Sequence, residues 1–231
     1  MRGLRRKTRF LDHSMTKRMR ELPRVFEGLG TIITAHIVRL SVLYEDLRIE
    51  TLATAEKSIK VLDVTDASYR SHYFLRRSIA TLVEFAQALR LLNKCDEFHV
   101  IRKHFVVARV VESWDEAVSF FREQESFLKL VRNDIRGHFG LQAAQYAVTN
   151  ADQLTPLDME ITEKGNIHLN FAGEVAAAAT MRHLDGGTPE EKITKLLKIA
   201  LTAFGHATNS VYAVSVAYLW DRFDSPTSSP T

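Results

Sequence analysis

The chain has one cysteine, Cys95, in 231 residues, which excludes a disulfide framework and any metal site built from several thiolates. It has no run of 18 or more apolar residues, which excludes a membrane-spanning helix. The familiar phosphate and hydrolase motifs are missing as well. There is no G-x-x-x-x-G-K-[ST] loop, no G-x-G-x-x-G turn after a strand, no H-E-x-x-H and no G-x-S-x-G, so P-loop, dinucleotide-binding, zinc-protease and nucleophile-elbow chemistry have no carrier. Nine histidines are scattered, and no two stand at the i, i+4 spacing that aims a pair at one metal. His99 and His104, five apart, would sit about 140° apart around a helix and read as structural. The expectation is a protein of a reducing cytoplasm, with no cofactor, no metal and no membrane contact.

What the chain does have is an ordinary globular composition: 45% hydrophobic and 26% charged residues, with mean hydropathy −0.13. That suffices for a core without covalent staples. The charge is unevenly placed. Residues 1–30 hold nine basic side chains against three acids, a net +6, while the other 201 residues carry 22 basic and 25 acidic groups. The pI near 9.0 is a property of this arm, expected over 1–25. Such an arm either meets phosphates or is a solvated tail. No apolar stretch follows it as in a secretory signal, although an Arg-rich, acid-poor start also fits an organelle transit peptide.

Helical periodicity dominates the body, 26–222. Ile33, Ile37, Leu40, Tyr44 and Leu47 recur at spacings of three and four, predicting one buried face on a helix over 29–52. A second helix is predicted over 68–93, capped by Asp66 or Ser68, with Tyr69, Tyr73, Ile79, Leu82, Val83, Ala86 and Leu89 as its stripe. A third is predicted from Ser113, where S-x-x-E over Ser113–Glu116 reads as a capping box, through Val118, Phe121, Leu128 and Val131 to about Gly137. The Val-rich stretch 100–111 is either a short strand or a helix leading into the third. A shorter helix follows Gly140 through Val148.

The pattern then changes. Met159, Ile161, Ile167, Leu169 and Phe171 alternate around Glu163–Asn166, predicting a small β-hairpin within 157–171. A short helix over 174–183 ends before Gly186–Gly187. The last helix has the clearest start: Thr188 as cap, Pro189 in the first helical position and Glu191 completing T-x-x-E. Its apolar positions are Ile193, Leu196, Leu197, Leu201 and Phe204, and it runs towards Trp220. Residues 223–231 are polar and expected to be disordered. The fold class is therefore all-α, a helical bundle with one small inserted hairpin.

One segment stands out chemically, Leu130–Gly140 (LVRNDIRGHFG). Arg132 is followed by Asn133, and His138 comes after five intervening residues. This resembles the HEPN (higher eukaryotic and prokaryotic nucleotide-binding) family, whose signature is Arg, often Asn, Asp or His next, then His after four to six intervening residues. A partial second match from Arg6 to His13 is broken by Lys7. The resemblance extends loosely over 29–148 and implies a homodimeric helical bundle. It also implies a metal-independent endoribonuclease that leaves 2′,3′-cyclic phosphate, in a defence or toxin–antitoxin setting with a possible antitoxin protein as partner.

The chemistry can be argued apart from the family. Metal-free RNA cleavage needs an activated 2′-hydroxyl, a protonated leaving oxygen and a stabilised anionic phosphorane. A histidine titrating near neutrality moves the protons. A guanidinium holds phosphate oxygens through the transition state. Arg132 and His138 are the candidate pair, with Asn133 orienting the histidine or binding phosphate. Arg136, at i+4 from Arg132 and about 40° round the helix, would deepen a phosphate site. On an unbroken helix Arg132 and His138 lie about 120° and roughly 9 Å apart. Either Gly137 bends the helix or the site forms across a two-fold axis, the arrangement the resemblance implies. Two other readings stand beside this. In one the chain is a non-catalytic helical module that binds nucleotide or RNA, or dimerises. In the other Arg, Gly and His are the basic, glycine-stopped end of a helix. Phe120, Phe121 and Phe127 read as core rather than a base-stacking platform. Glu84 and Glu116 lie beside apolar stripes, and neither is assigned a role in the site.

Overall fold

The structure, a computed structural model, describes residues 28–55, 67–103, 108–135, 141–150, 159–161, 167–169 and 171–215. The basic arm and the polar tail lie outside these residues, as do Asp66, His104, Arg136, Gly137 and His138. The described elements are α1 (Thr31–Ala55), α2 (Ala67–Asn93), α3 (Asp96–Arg102), α4 (Ala108–Ile135), α5 (Leu141–Asn150), β1 (Met159–Ile161), β2 (Ile167–Leu169), α6 (Phe171–Met181) and α7 (Pro189–Val214). The class is all-α. β1 and β2 pair antiparallel, with Met159 opposite Leu169 and Ile161 opposite Ile167. Among the described residues no helix is long and apolar enough to cross a membrane.

The core follows from the helical stripes. On α1, Ile33, Ile37, Leu40, Leu43 and Leu47 are buried, the spacing of three and four that puts them on one face. They meet Leu75, Ile79, Leu82, Val83, Phe85, Leu89 and Leu92 of α2 in one cluster. α4 joins through Trp114, Ala117, Phe121, Leu128 and Val131, and α7 through Leu196, Ala203, Ala207, Ala213 and Val214. The main contacts are α1 with α2, α2 with α4 and α4 with α7. α3 is a short strap whose Phe98 and Ile101 are buried. The Phe98 ring lies 4.7 Å from that of Trp114, and Trp114 Nε1 donates to Asn93 Oδ1 at 2.9 Å. Arg102 clamps Asp115 outside, with Nη2 2.6 Å from Oδ2.

Several boundaries differ from the sequence expectation, each for a physical reason. α4 begins at Ala108, so Ser113 lies inside the helix and Ser113–Glu116 caps nothing. Val110 and Val111 pack against the core, and that burial carries the helix past the local capping signal. The described parts of the stretch 100–111 are helix or turn rather than strand. Phe171 opens α6 rather than continuing the strand alternation. Tyr73 is 46% exposed and Leu201 60% exposed. Tyr73 stands about 120° round α2 from Ile79, and Leu201 about 140° round α7 from Leu196, so neither falls on the buried stripe.

The start of α7 matches its sequence signal. Thr188 has extended backbone; its side chain accepts from the Glu191 N–H at 3.3 Å while its own N–H donates to Glu191 Oε2 at 2.9 Å. This reciprocal pair satisfies two donors that the helix end would leave open. Gly187 precedes it at φ 80°, a left-handed conformation that costs glycine little. A Cβ there would also stand 2.5 Å from Glu191 Oε2, so two separate constraints select glycine.

Candidate functional site

The last turn of α4 carries Arg132 and Asn133. Leu128 and Val131 on the same turns are buried, which fixes the backbone from which both polar side chains extend. Arg132 is half-buried and Asn133 exposed. Arg132 Nη2 donates to Asn133 Oδ1 at 3.1 Å, so Asn133 holds the guanidinium. Arg132 Nε is buried without a hydrogen bond, a donor of the kind a bound anion satisfies.

Arg132 borders a groove of about 230 Å³ between α2 and α4. Val83 and Leu128 line its apolar part, while Arg90 of α2 and Glu125, Lys129 and Arg132 of α4 supply charge. Glu125 Oε1 accepts from Lys129 Nζ at 2.6 Å and from Arg90 Nη1 at 3.0 Å. The Glu125 carboxyl is held below the usual carboxylate range. The Lys129 hydrogen bond is the largest cause; partial burial opposes it, and the charges of Arg90, Lys129 and Lys94 add to it. The surroundings of Glu125 are thus electropositive, and the one carboxylate on this wall leaves the excess positive.

Of the four residues that the sequence motif singles out, the structure describes Arg132 and Asn133 and joins them by a hydrogen bond. Arg136 and His138 lie outside the described residues. Sequence reasoning missed Arg90, Glu125 and Lys129. The i, i+4 spacing of Glu125 and Lys129 was readable as a helix pair. Arg90 stands 35 residues from Glu125, and only the packing of α2 on α4 brings it there.

The remaining polar groups have structural surroundings. Glu84 is half-buried with a partner, and Glu116 is exposed. Phe121 is buried, while Phe120 and Phe127 pack against the core, as expected for core rings. The Phe120 ring lies 4.7 Å from that of His206 on α7. Burial pushes the imidazole of His206 below its usual pKa, and the negative charge of Glu116 works the other way. Glu50 is buried between α1 and α2, 3.5 Å from Arg77 Nε. Its burial raises the carboxyl pKa, against the Thr81 hydrogen bond and the Arg77 charge. His99 is exposed. Among the described residues no group of three or more His, Cys, Asp or Glu could hold a metal. A separate cleft of about 370 Å³ is lined by apolar side chains such as Leu47, Leu75, Leu82, Leu197 and Phe204 with the hydroxyls of Thr51, Thr54 and Ser78, and presents no titratable group.

No family model matches this chain, and neither a curated protein nor a solved structure matches it.

Proposed function

We propose that the chain is a metal-independent endoribonuclease of HEPN type, acting on RNA as a homodimer in a defence or toxin–antitoxin setting, with an antitoxin protein as its controlling partner. The observation that carries this reading is the Arg132 guanidinium: held by Asn133, carrying an unpartnered buried Nε, and bordering a groove rich in positive charge. A guanidinium so held is preorganised for phosphate oxygens. In this reading Arg132 binds the scissile phosphate and stabilises the phosphorane. His138 takes the proton of the 2′-hydroxyl or returns one to the departing 5′-oxygen. Asn133 positions Arg132, and Arg136 adds a second phosphate contact. The 2′-oxygen bonds to phosphorus as the bond to the 5′-oxygen breaks, which leaves a 2′,3′-cyclic phosphate and a 5′-hydroxyl.

The test is incubation of the wild type and His138→Ala with a mixed RNA pool in EDTA, followed by end-group analysis. The expected result is cleavage by the wild type alone, with cyclic phosphate ends and a loss of roughly a hundredfold or more in the variant, the scale of a general acid–base contribution. Equal behaviour of the two proteins would sink the nuclease reading and leave a non-catalytic RNA- or nucleotide-binding module.

A further inference from the structure

The groove beside Arg132 does not end there. A second depression of about 390 Å³ shares Ala86, Arg90 and Glu125 with it and continues past Asn93, Lys94 and Arg122. On α4, Arg122, Glu125, Lys129 and Arg132 follow at spacings of three, four and three, within an arc of about 80°. Arg90 and Lys94 face them from α2 and the turn after it. The combined wall presents five cations, Arg90, Lys94, Arg122, Lys129 and Arg132, against the single carboxylate of Glu125. Asn93 adds a donor: its Oδ1 is taken by Trp114, which leaves its Nδ2 free to donate.

We infer that this α2–α4 groove is the track for a single RNA strand, leading its backbone phosphates from Lys94 and Arg122 to Arg132. The identity of the strand rests on the nuclease reading; the groove itself does not. Shape decides between a strand and a small anion. Arg122 and Arg132 are about 15 Å apart along the helix axis, a span longer than any single phosphate. One isolated phosphate has no use for cations so widely spread. The apolar floor of Ala86, Leu89, Val118 and Phe121 leaves room for sugars, and the Phe121 ring is buried in the core rather than presented for base stacking. Recognition is therefore of backbone, without sequence preference. Glu125 acts as a spacer. It ties Arg90 to Lys129 and keeps the two cations from repelling one another before the strand arrives.

The experiment uses the full chain and a fluorescein-labelled single-stranded RNA of about 12 nucleotides, within the range of known single-strand sites. Its riboses are 2′-O-methylated so that cleavage cannot interfere. Fluorescence anisotropy gives the affinity and its salt dependence. Arg122 and Lys94 are both exposed, so Arg122→Ala with Lys94→Ala should leave folding intact, which a melting curve checks. The double variant should bind about tenfold more weakly at low salt and lose about 1.4 from the salt slope, the share of two single-strand phosphate contacts. Glu125→Gln should bind more tightly than wild type. A wild type that binds through the groove and never cuts refutes the nuclease reading alone. Unchanged affinity and slope in the double variant, with wild-type cleavage intact, overturns the track alone. A wild type that ignores RNA but binds polyglutamate through Arg122 and Lys94 overturns it in favour of an acidic protein partner.

Discussion

The contact among α1, α2, α4 and α7 is filled by large side chains, whereas the contact between α5 and α6 is filled by alanine. In the first, Trp114, Phe85, Ile79, Ile33, Leu40 and Leu128 are fully buried. In the second, Ala143 and Ala147 meet Ala179, with Val175 and Ala178 partly buried beside them. A buried Leu or Phe contributes about 1.5–3 kcal/mol, a methyl group less than 1. The two regions therefore differ in what holds them. The bundle is secured by area removed from water. The α5–α6 pair is secured by closeness of backbones, which alanine permits, and by the contacts of α6 with α2, α4 and α7. Local opening should begin at α5 and α6 and reach α2 and α4 last.

The sharpest way to test that contrast is to strike its strong side. Trp114→Ala removes the ring against Phe98 and orphans Asn93 Oδ1. It should cost about 3–5 kcal/mol in chemical denaturation, with protection lost across α2, α3 and α4 together. A loss confined to α3 would mean that the bundle does not share one core. The weak side is probed by overfilling. Ala147→Leu should cost about 1–3 kcal/mol, and hydrogen exchange should speed up in α5 and α6 while amides of α2 and α4 keep their protection. Uniform loss in both regions would erase the distinction.

The smallest effect concerns acid. His206 lies in the strong region and its folded pKa is depressed by burial, so the folded protein binds fewer protons than the unfolded chain. Stability from this group is present above the ordinary pKa of 6.5 and is lost as pH falls towards the folded value. His206→Phe should flatten the denaturation midpoint between neutral and mildly acidic pH. A wild-type midpoint that stays constant over that window would contradict the assignment.

Legibility followed the range over which each determinant acts. The start of α7 could be read from Thr188, Pro189 and Glu191, because a cap is settled within four residues. The stripe from Ile33 to Leu47 was equally legible, since one helix face carries its own period. The start of α4 was misread because Ser113–Glu116 imitates a cap, while burial of Val110 and Val111 against other helices decides the outcome. At the candidate site, Arg132 and Asn133 were singled out by their spacing to His138. The hydrogen bond between them, the unpartnered Nε and the Arg90–Glu125 bridge depend on rotamers and on packing 35 residues away. No spacing rule contains that information.

The position of α7 in the bundle has a consequence for biosynthesis. α4 ends at Ile135 and α7 begins at Pro189, yet the two pack against each other as one of the main contacts of the fold. A ribosome adding about 5–20 residues per second needs roughly 3–10 s to make the intervening chain. During that time the α4 positions that α7 will cover, Phe120 among them, stay open to water and to other nascent chains. Yield in the cell should therefore respond to translation speed through this one late-arriving helix.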